Sequence, residues 1–224
     1  RTFRRAALAE GRAEPAEDGE VSALVGCGRS LPDQQIVIVE PETGAPCAPG
    51  IIGEIWLAGP SVAQGYWRSP EQTAQTFGAC GPGGEGPFLR TGDLGFMDGE
   101  ELFVAGRARD LLIIRGRNHY PQDIERTVEQ SHAAVRAGCC AALSVELDGE
   151  ERLAVVAEID PRRCADPEEV LDAIRGAVAE EHDLAIHTAA LVPPGGIPKT
   201  SSGKIQRRRA MELYTTGYFH DNQA

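Results

Sequence analysis

Toward the end of the chain, Pro198-Lys199-Thr200-Ser201-Ser202-Gly203-Lys204 sets a lysine behind a small, flexible run of residues and ahead of Arg207, Arg208 and Arg209. A cation at the tip of such a loop is most often an ordinary surface lysine. Gly203-Lys204 looks like the end of a phosphate-cradling P-loop, but that motif needs a glycine five residues before Gly203 and a Ser or Thr after the lysine. Pro198 and Ile205 stand there instead, so the P-loop reading fails at both positions. The arginines that follow are expected to face outward.

A second segment, Arg90-Thr91-Gly92-Asp93-Leu94-Gly95, sets an acid between glycines at the end of a strand pattern. Such an aspartate is commonly a turn residue. Ionised, its two oxygens also suit the paired hydroxyls of a ribose. The third segment, GRARDLLIIRGRNHYPQDIE from Gly106 to Glu125, flanks an apolar strand with basic residues. Arg109 lies where the composition changes, a place suited to a hinge, and His119 reads as structural.

These segments need a scaffold, and the composition allows one. The 224 residues, 42% hydrophobic and 25% charged, have the balance of a globular chain with one large domain or two smaller ones. A net charge of −12 argues against a general nucleic-acid binder. Six cysteines without a C-x-x-C pair suit a reducing cytoplasm rather than a zinc site or a disulfide framework. The apolar runs are too short to cross a membrane. The chain opens without a methionine, and it is expected to be part of something longer.

Periodicity divides the chain near residue 108. Before it, QIVIVE, GEIWLAG and FLRTGDLGFMDGEELFVAGR read as strands, the last with an Asp98-Gly99 hairpin turn. Ser69, Pro70 and Glu71 open a short helix. After it, DLLIIRGR reads as a strand leading into a loop, PQDIERTVEQSH as a helix, and CCAALSVELDGEERLAVVAEID as two strands around an Asp148-Gly149 turn. A helix with Val170, Ile174 and Val178 on one face follows, then a last strand and a closing helix. The expected fold class is α+β.

In this order, GEIWLAGPSVAQGYW with PEQTAQTF, then RTGDLG, GRARDLLIIRG and PKTSSGKIQR, resemble the carboxy-terminal part of the ANL adenylate-forming enzymes. These include acyl-CoA synthetases and peptide-synthetase adenylation domains. RGRNHYPQDIE, RRAALAEGRA and LVGCGRSLPDQQIVIV are most similar to fatty acyl-AMP ligases. Such enzymes activate a fatty acid with ATP to acyl-AMP and pass it to the phosphopantetheine of an acyl carrier protein or polyketide synthase carrier domain.

The resemblance implies a β-rich end of the large AMP-binding domain over residues 1–108 and a small mobile α+β lid over 109–224. It implies Lys204 as the catalytic cation, Asp93 on the ribose hydroxyls, Arg107 beside them, and Arg109 at the hinge. ATP and Mg2+ are the implied cofactors. The magnesium ligands, phosphate loop, adenine-binding motif and acyl pocket are expected in the large amino-terminal domain, so no metal ligand is assigned here. Rival readings are an acyl-CoA synthetase using free coenzyme A and a non-catalytic carrier-binding accessory domain.

Overall fold

The computed structural model describes residues 1–147 and 149–221. They form two compact units, Arg1–Leu111 and Leu112–Ala224.

The first unit opens with β1 (Thr2–Arg4), α1 (Arg5–Ala9) and β2 (Val21–Ala23), with β1 and β2 paired antiparallel. Then come β3 (Gln35–Val39), β4 (Gly53–Ala58), α2 (Pro70–Phe77), β5 (Leu89–Asp98) and β6 (Glu101–Arg107), and Ala108–Asp110 forms a single 3-10 turn. The four strands β3-β4-β5-β6 make one antiparallel sheet in chain order. Phe3, Phe96 and Phe103, each nearly inaccessible to solvent, pack with ring centroids 5.0 to 5.3 Å apart and fasten β1 to that sheet. Aromatic contacts of this kind add to the area they bury.

The second unit holds β7 (Leu112–Ile114), β8 (Arg117–His119), α3 (Pro121–Ser131), β9 (Val135–Leu147), β10 (Glu150–Ile159), α4 (Pro167–His182), β11 (Ile186–Val192), α5 (Arg207–Thr215) and α6 (Tyr218–Asp221). Its main sheet runs β11-β10-β9, with β9 antiparallel and β11 parallel to β10. Parallel neighbours need a long crossover, and α4 supplies it. Of the expected Asp148-Gly149 turn, Asp148 lies outside the described residues; on either side Leu147 pairs with Glu150.

Alternation along the strands explains the nearly continuous apolar run of β10. Leu153, Val155 and Ala157 face a core shared with Ile124 and Val128 of α3 and Val170, Ile174 and Val178 of α4. Ala154 and Val156 face the opposite way, toward Ile197, Ala210 of α5 and Phe219 of α6. Helices therefore cover both faces of this sheet. The segment expected as a strand running into a loop is instead the hairpin β7–β8, with Leu112 paired to His119. All six cysteines are free, Cys139 and Cys140 being buried.

Ile174 is fully buried in the core beneath α4. Ile174→Ala is expected to lower stability by about 2–5 kcal/mol, the loss of buried methylenes plus a cavity. Urea denaturation of the 224-residue chain checks this; a loss below about 1 kcal/mol would mean that the face repacks.

Candidate active-site segments

In the first unit, the RTGD segment is organised by a carboxylate. Glu54, on β4 and only 3% exposed, accepts hydrogen bonds from Nε and Nη2 of Arg90 at 3.1 and 2.8 Å. Trp56 Nε1 donates to it at 3.0 Å and the Gly92 amide at 3.2 Å. Gly92 has φ +70°, a left-handed conformation open to a residue without Cβ. The Thr91 hydroxyl donates to the Ile55 carbonyl at 2.7 Å and accepts the Asp93 amide at 3.0 Å. Sheet register and side-chain bonds thus fix the backbone on both sides of Asp93.

Asp93 and Arg107 are direct cross-strand partners between β5 and β6, and Arg107 Nε donates to Asp93 Oδ1 at 2.8 Å. Both side chains are partly open to solvent, so the pair adds little stability and serves mainly to orient the two groups. Arg109, two residues on, lies in the 3-10 turn; its side chain is 76% exposed and 3.6 Å from Asp110.

In the second unit, Lys204 stands on a small hairpin rather than a loose run. Lys199 and Ile205 form an antiparallel bridge. The Thr200 amide donates to the Lys204 carbonyl at 2.8 Å, and the Gly203 amide to the Thr200 carbonyl at 2.9 Å. The Lys204 amide donates to the Thr200 hydroxyl at 3.1 Å. Gly203, with φ +84°, makes the turn possible. The side chain of Lys204 is exposed, and its ammonium has no hydrogen-bond or ion-pair partner among the described residues. Lys199, lower on the hairpin, points its Nζ at Cys139 Sγ, 2.8 Å away.

Two further buried carboxylates meet the ends of this hairpin. Glu158 on β10, 1% exposed, accepts the Ile197 amide at 3.1 Å and Arg136 Nη1 at 2.6 Å. Glu125 on α3, 7% exposed, accepts Nε and Nη2 of Arg207 at 3.0 and 2.6 Å and the Ala142 amide at 3.1 Å. The expectation of outward arginines therefore fails for Arg207, which turns inward to a bidentate pair, while Arg208 and Arg209 remain exposed. Burial pushes the Glu125 carboxyl up, and the Arg207 guanidinium pulls against that shift. His119 is half-buried with its Nε2 unbonded among the described residues; burial, then Arg117, push its imidazole down.

The structure thus brings Asp93 and Arg107 together in one unit and displays Lys204 in the other. Sequence reasoning missed Glu54, Glu125 and Glu158. The available signal was a lone acid inside an apolar strand run, as in IIGEIWLAG and LAVVAEID. Among the described residues no group of three or more His, Cys, Asp or Glu side chains is arranged to hold a metal ion.

Two family models match this chain: "Disco-interacting protein 2-like, AMP domain" over residues 109–223 and "AMP-binding enzyme" over residues 8–67. The medium-chain-fatty-acid–[acyl-carrier-protein] ligase JamA of Moorena producens is 50% identical over 207 residues, which is 91% of this chain and 35% of JamA. The long-chain-fatty-acid–AMP ligase FadD23 of Mycobacterium tuberculosis is 41% identical over 98% of this chain and 38% of its own length. A structure from work on fatty acyl-adenylate ligases of E. coli and L. pneumophila superposes with TM-score 0.81 at 33% identity, covering 97% of this chain and 38% of that one. The chain thus spans little more than a third of the relatives it matches.

Removing the part-exposed cation from the buried Glu54 carboxylate tests the pair's place in the fold. Arg90→Met leaves the Glu54 carboxylate with only the Trp56 and Gly92 donors. A loss of about 3 kcal/mol or more is expected, because an uncompensated buried charge remains. Denaturation midpoints of the variant and the parent chain measure it, and a loss within about 0.5 kcal/mol would class the pair with surface substitutions.

Proposed function

The chain belongs to the AMP-binding, adenylate-forming enzymes, and from that premise we propose that it supplies the ribose-contacting strand pair and the mobile lid of a fatty acyl-AMP ligase. In the first half-reaction, a fatty-acid carboxylate oxygen attacks the α-phosphorus of ATP. A P–O bond forms, the bond to the β-phosphate breaks, and pyrophosphate leaves. Two anions are forced together, and charge builds on the non-bridging oxygens. Lys204 offsets that charge from the tip of its hairpin. Asp93 accepts the ribose hydroxyls, and Arg107 keeps its carboxylate aimed.

In the second half-reaction, a phosphopantetheine thiol attacks the acyl carbon and AMP departs. JamA, whose name includes an acyl-carrier-protein acceptor, supports a carrier rather than free coenzyme A as the thiol source. ATP is used with magnesium, whose ligands lie outside this chain, and the reaction belongs to the cytoplasm. The observation that carries the reading is Lys204 itself: an exposed ammonium, unpartnered among the described residues, on an internally bonded hairpin, in a chain similar to fatty acid–AMP ligases over nearly its whole length.

In the whole ligase, Lys204→Ala is expected to slow acyl-AMP formation by about 10²–10³-fold, the usual loss for one preorganised stabiliser of developing charge. Transfer from preformed acyl-AMP is expected to change far less. Single-turnover measurements of the two steps decide it, and equal losses would refute this role. Running the transfer with coenzyme A and with a holo carrier protein separates the ligase from a coenzyme A synthetase.

Arg109 is the proposed hinge at which the second unit turns between the half-reactions. Rotations of this kind are absorbed by a few residues while packed elements move as rigid bodies. Its place in an exposed 3-10 turn supports that role. Because proline fixes φ near −65°, Arg109→Pro is expected to leave acyl-AMP formation largely intact and to slow transfer at least about tenfold, roughly 1.4 kcal/mol. Parallel losses in both steps, or none in either, would remove Arg109 from the hinge.

A further inference from the structure

We propose that Glu125 and Glu158 are positioning residues for Lys204, acting as a two-point clamp on the feet of its hairpin. The proposal rests on the reading of Lys204 as the adenylation cation. Glu158 grips the segment entering the hairpin through the Ile197 amide, and Glu125 grips the first residue of α5, just past the hairpin, through the Arg207 guanidinium. Between those points the turn is bonded mainly to itself, as in the Thr200–Lys204 and Pro198–Gln206 bonds. The Lys199–Cys139 contact is an added strut near its base. Ile205 packs against the apolar core beside Lys204, and the feet are where hydrogen bonds from the surrounding fold add direction to that packing.

Stability alone does not account for placing two carboxylates there. A buried ion pair is often no better for stability than well-packed apolar side chains of the same volume. What a carboxylate adds is direction. Arg207 is met by two oxygens in a planar fork, which fixes both distance and orientation. The Ile197 amide is met by Oε1 of a carboxylate whose other oxygen, Oε2, is held by Arg136. A cation that stabilises developing charge must stand at a defined place, and a displacement of about 1 Å can cost on the order of 10²-fold in rate. Lys204, extended from a small turn without side-chain partners among the described residues, depends on that anchoring.

Glu125→Gln and Glu158→Gln keep shape and one acceptor while removing the charge. The first arm measures ¹⁵N relaxation in the 224-residue chain. Order parameters at Thr200, Gly203 and Lys204 are expected to fall from about 0.85 to below about 0.6 in each variant, with Val155 and Val156 unchanged. The second arm uses the whole ligase: kcat for acyl-AMP formation is expected to drop about tenfold with KM for ATP unmoved, and transfer from preformed acyl-AMP to stay within about twofold.

Hairpin order unchanged in both variants overturns the proposal, and so does an equal loss of order at Val155 and Val156, which would mark general loosening. Lost order with full adenylation also overturns it, since the anchors would then not position a catalytic group. If Lys204→Ala itself leaves adenylation intact, the reading of Lys204 fails instead. The relaxation arm still decides whether the clamp exists.

Discussion

A carboxylate taken out of water must be met by donors or it destabilises the fold by several kcal/mol. In the second unit that constraint falls on Glu125, and its solution ties together three elements. The residue belongs to α3, accepts an amide of β9, and receives both arms of the first arginine of α5. Helix α5 begins with three arginines and has no acid in its first turn, an arrangement the helix dipole disfavours. Glu125 supplies negative charge to the first of them. Glu212, a turn further on, pairs with the other two. A stretch that reads as an isolated basic patch is thus neutralised from within.

The first unit uses the same device at different coordinates. Glu54 lies inside the β-sheet and collects donors from Arg90, Trp56 and Gly92, two of which belong to the segment that carries Asp93. In both units the groups suited to chemistry are partly or fully exposed, while the carboxylates that fix their backbone are sealed in the core. Exposure leaves those groups accessible; burial gives the fixing bonds a low-dielectric setting in which breaking them is costly. The arrangement places the exposed candidate side chains on loops and strand ends and holds their backbone from the scaffold.

Much of this was legible in the sequence. The strands around QIVIV and GEIWLA and the helices opened by Pro70, Pro121 and Pro167 follow from alternation and from first-turn prolines. The hairpin β7–β8 was not, because its turn uses Arg115 with φ +53° before Gly116, where the usual signal is Asn or Asp before glycine. Arg207 was misjudged for a different reason. Local composition cannot show a partner 82 residues away on another element. The hairpin under Lys204 looked loose because its small polar residues satisfy one another through bonds that no periodicity reports.

The amide of Ala142 sits on β9, the outer strand of the β11-β10-β9 sheet, and Glu125 accepts its hydrogen. An unsatisfied amide on an outer strand is a template on which another extended chain can pair, the usual route from a folded sheet to edge-to-edge aggregation. At that point the template is already occupied by a side chain from the same unit. The carboxylate that anchors Arg207 therefore also satisfies an amide of the sheet's outer strand, and a neutral apolar residue of equal size in its place would leave that amide buried without an acceptor.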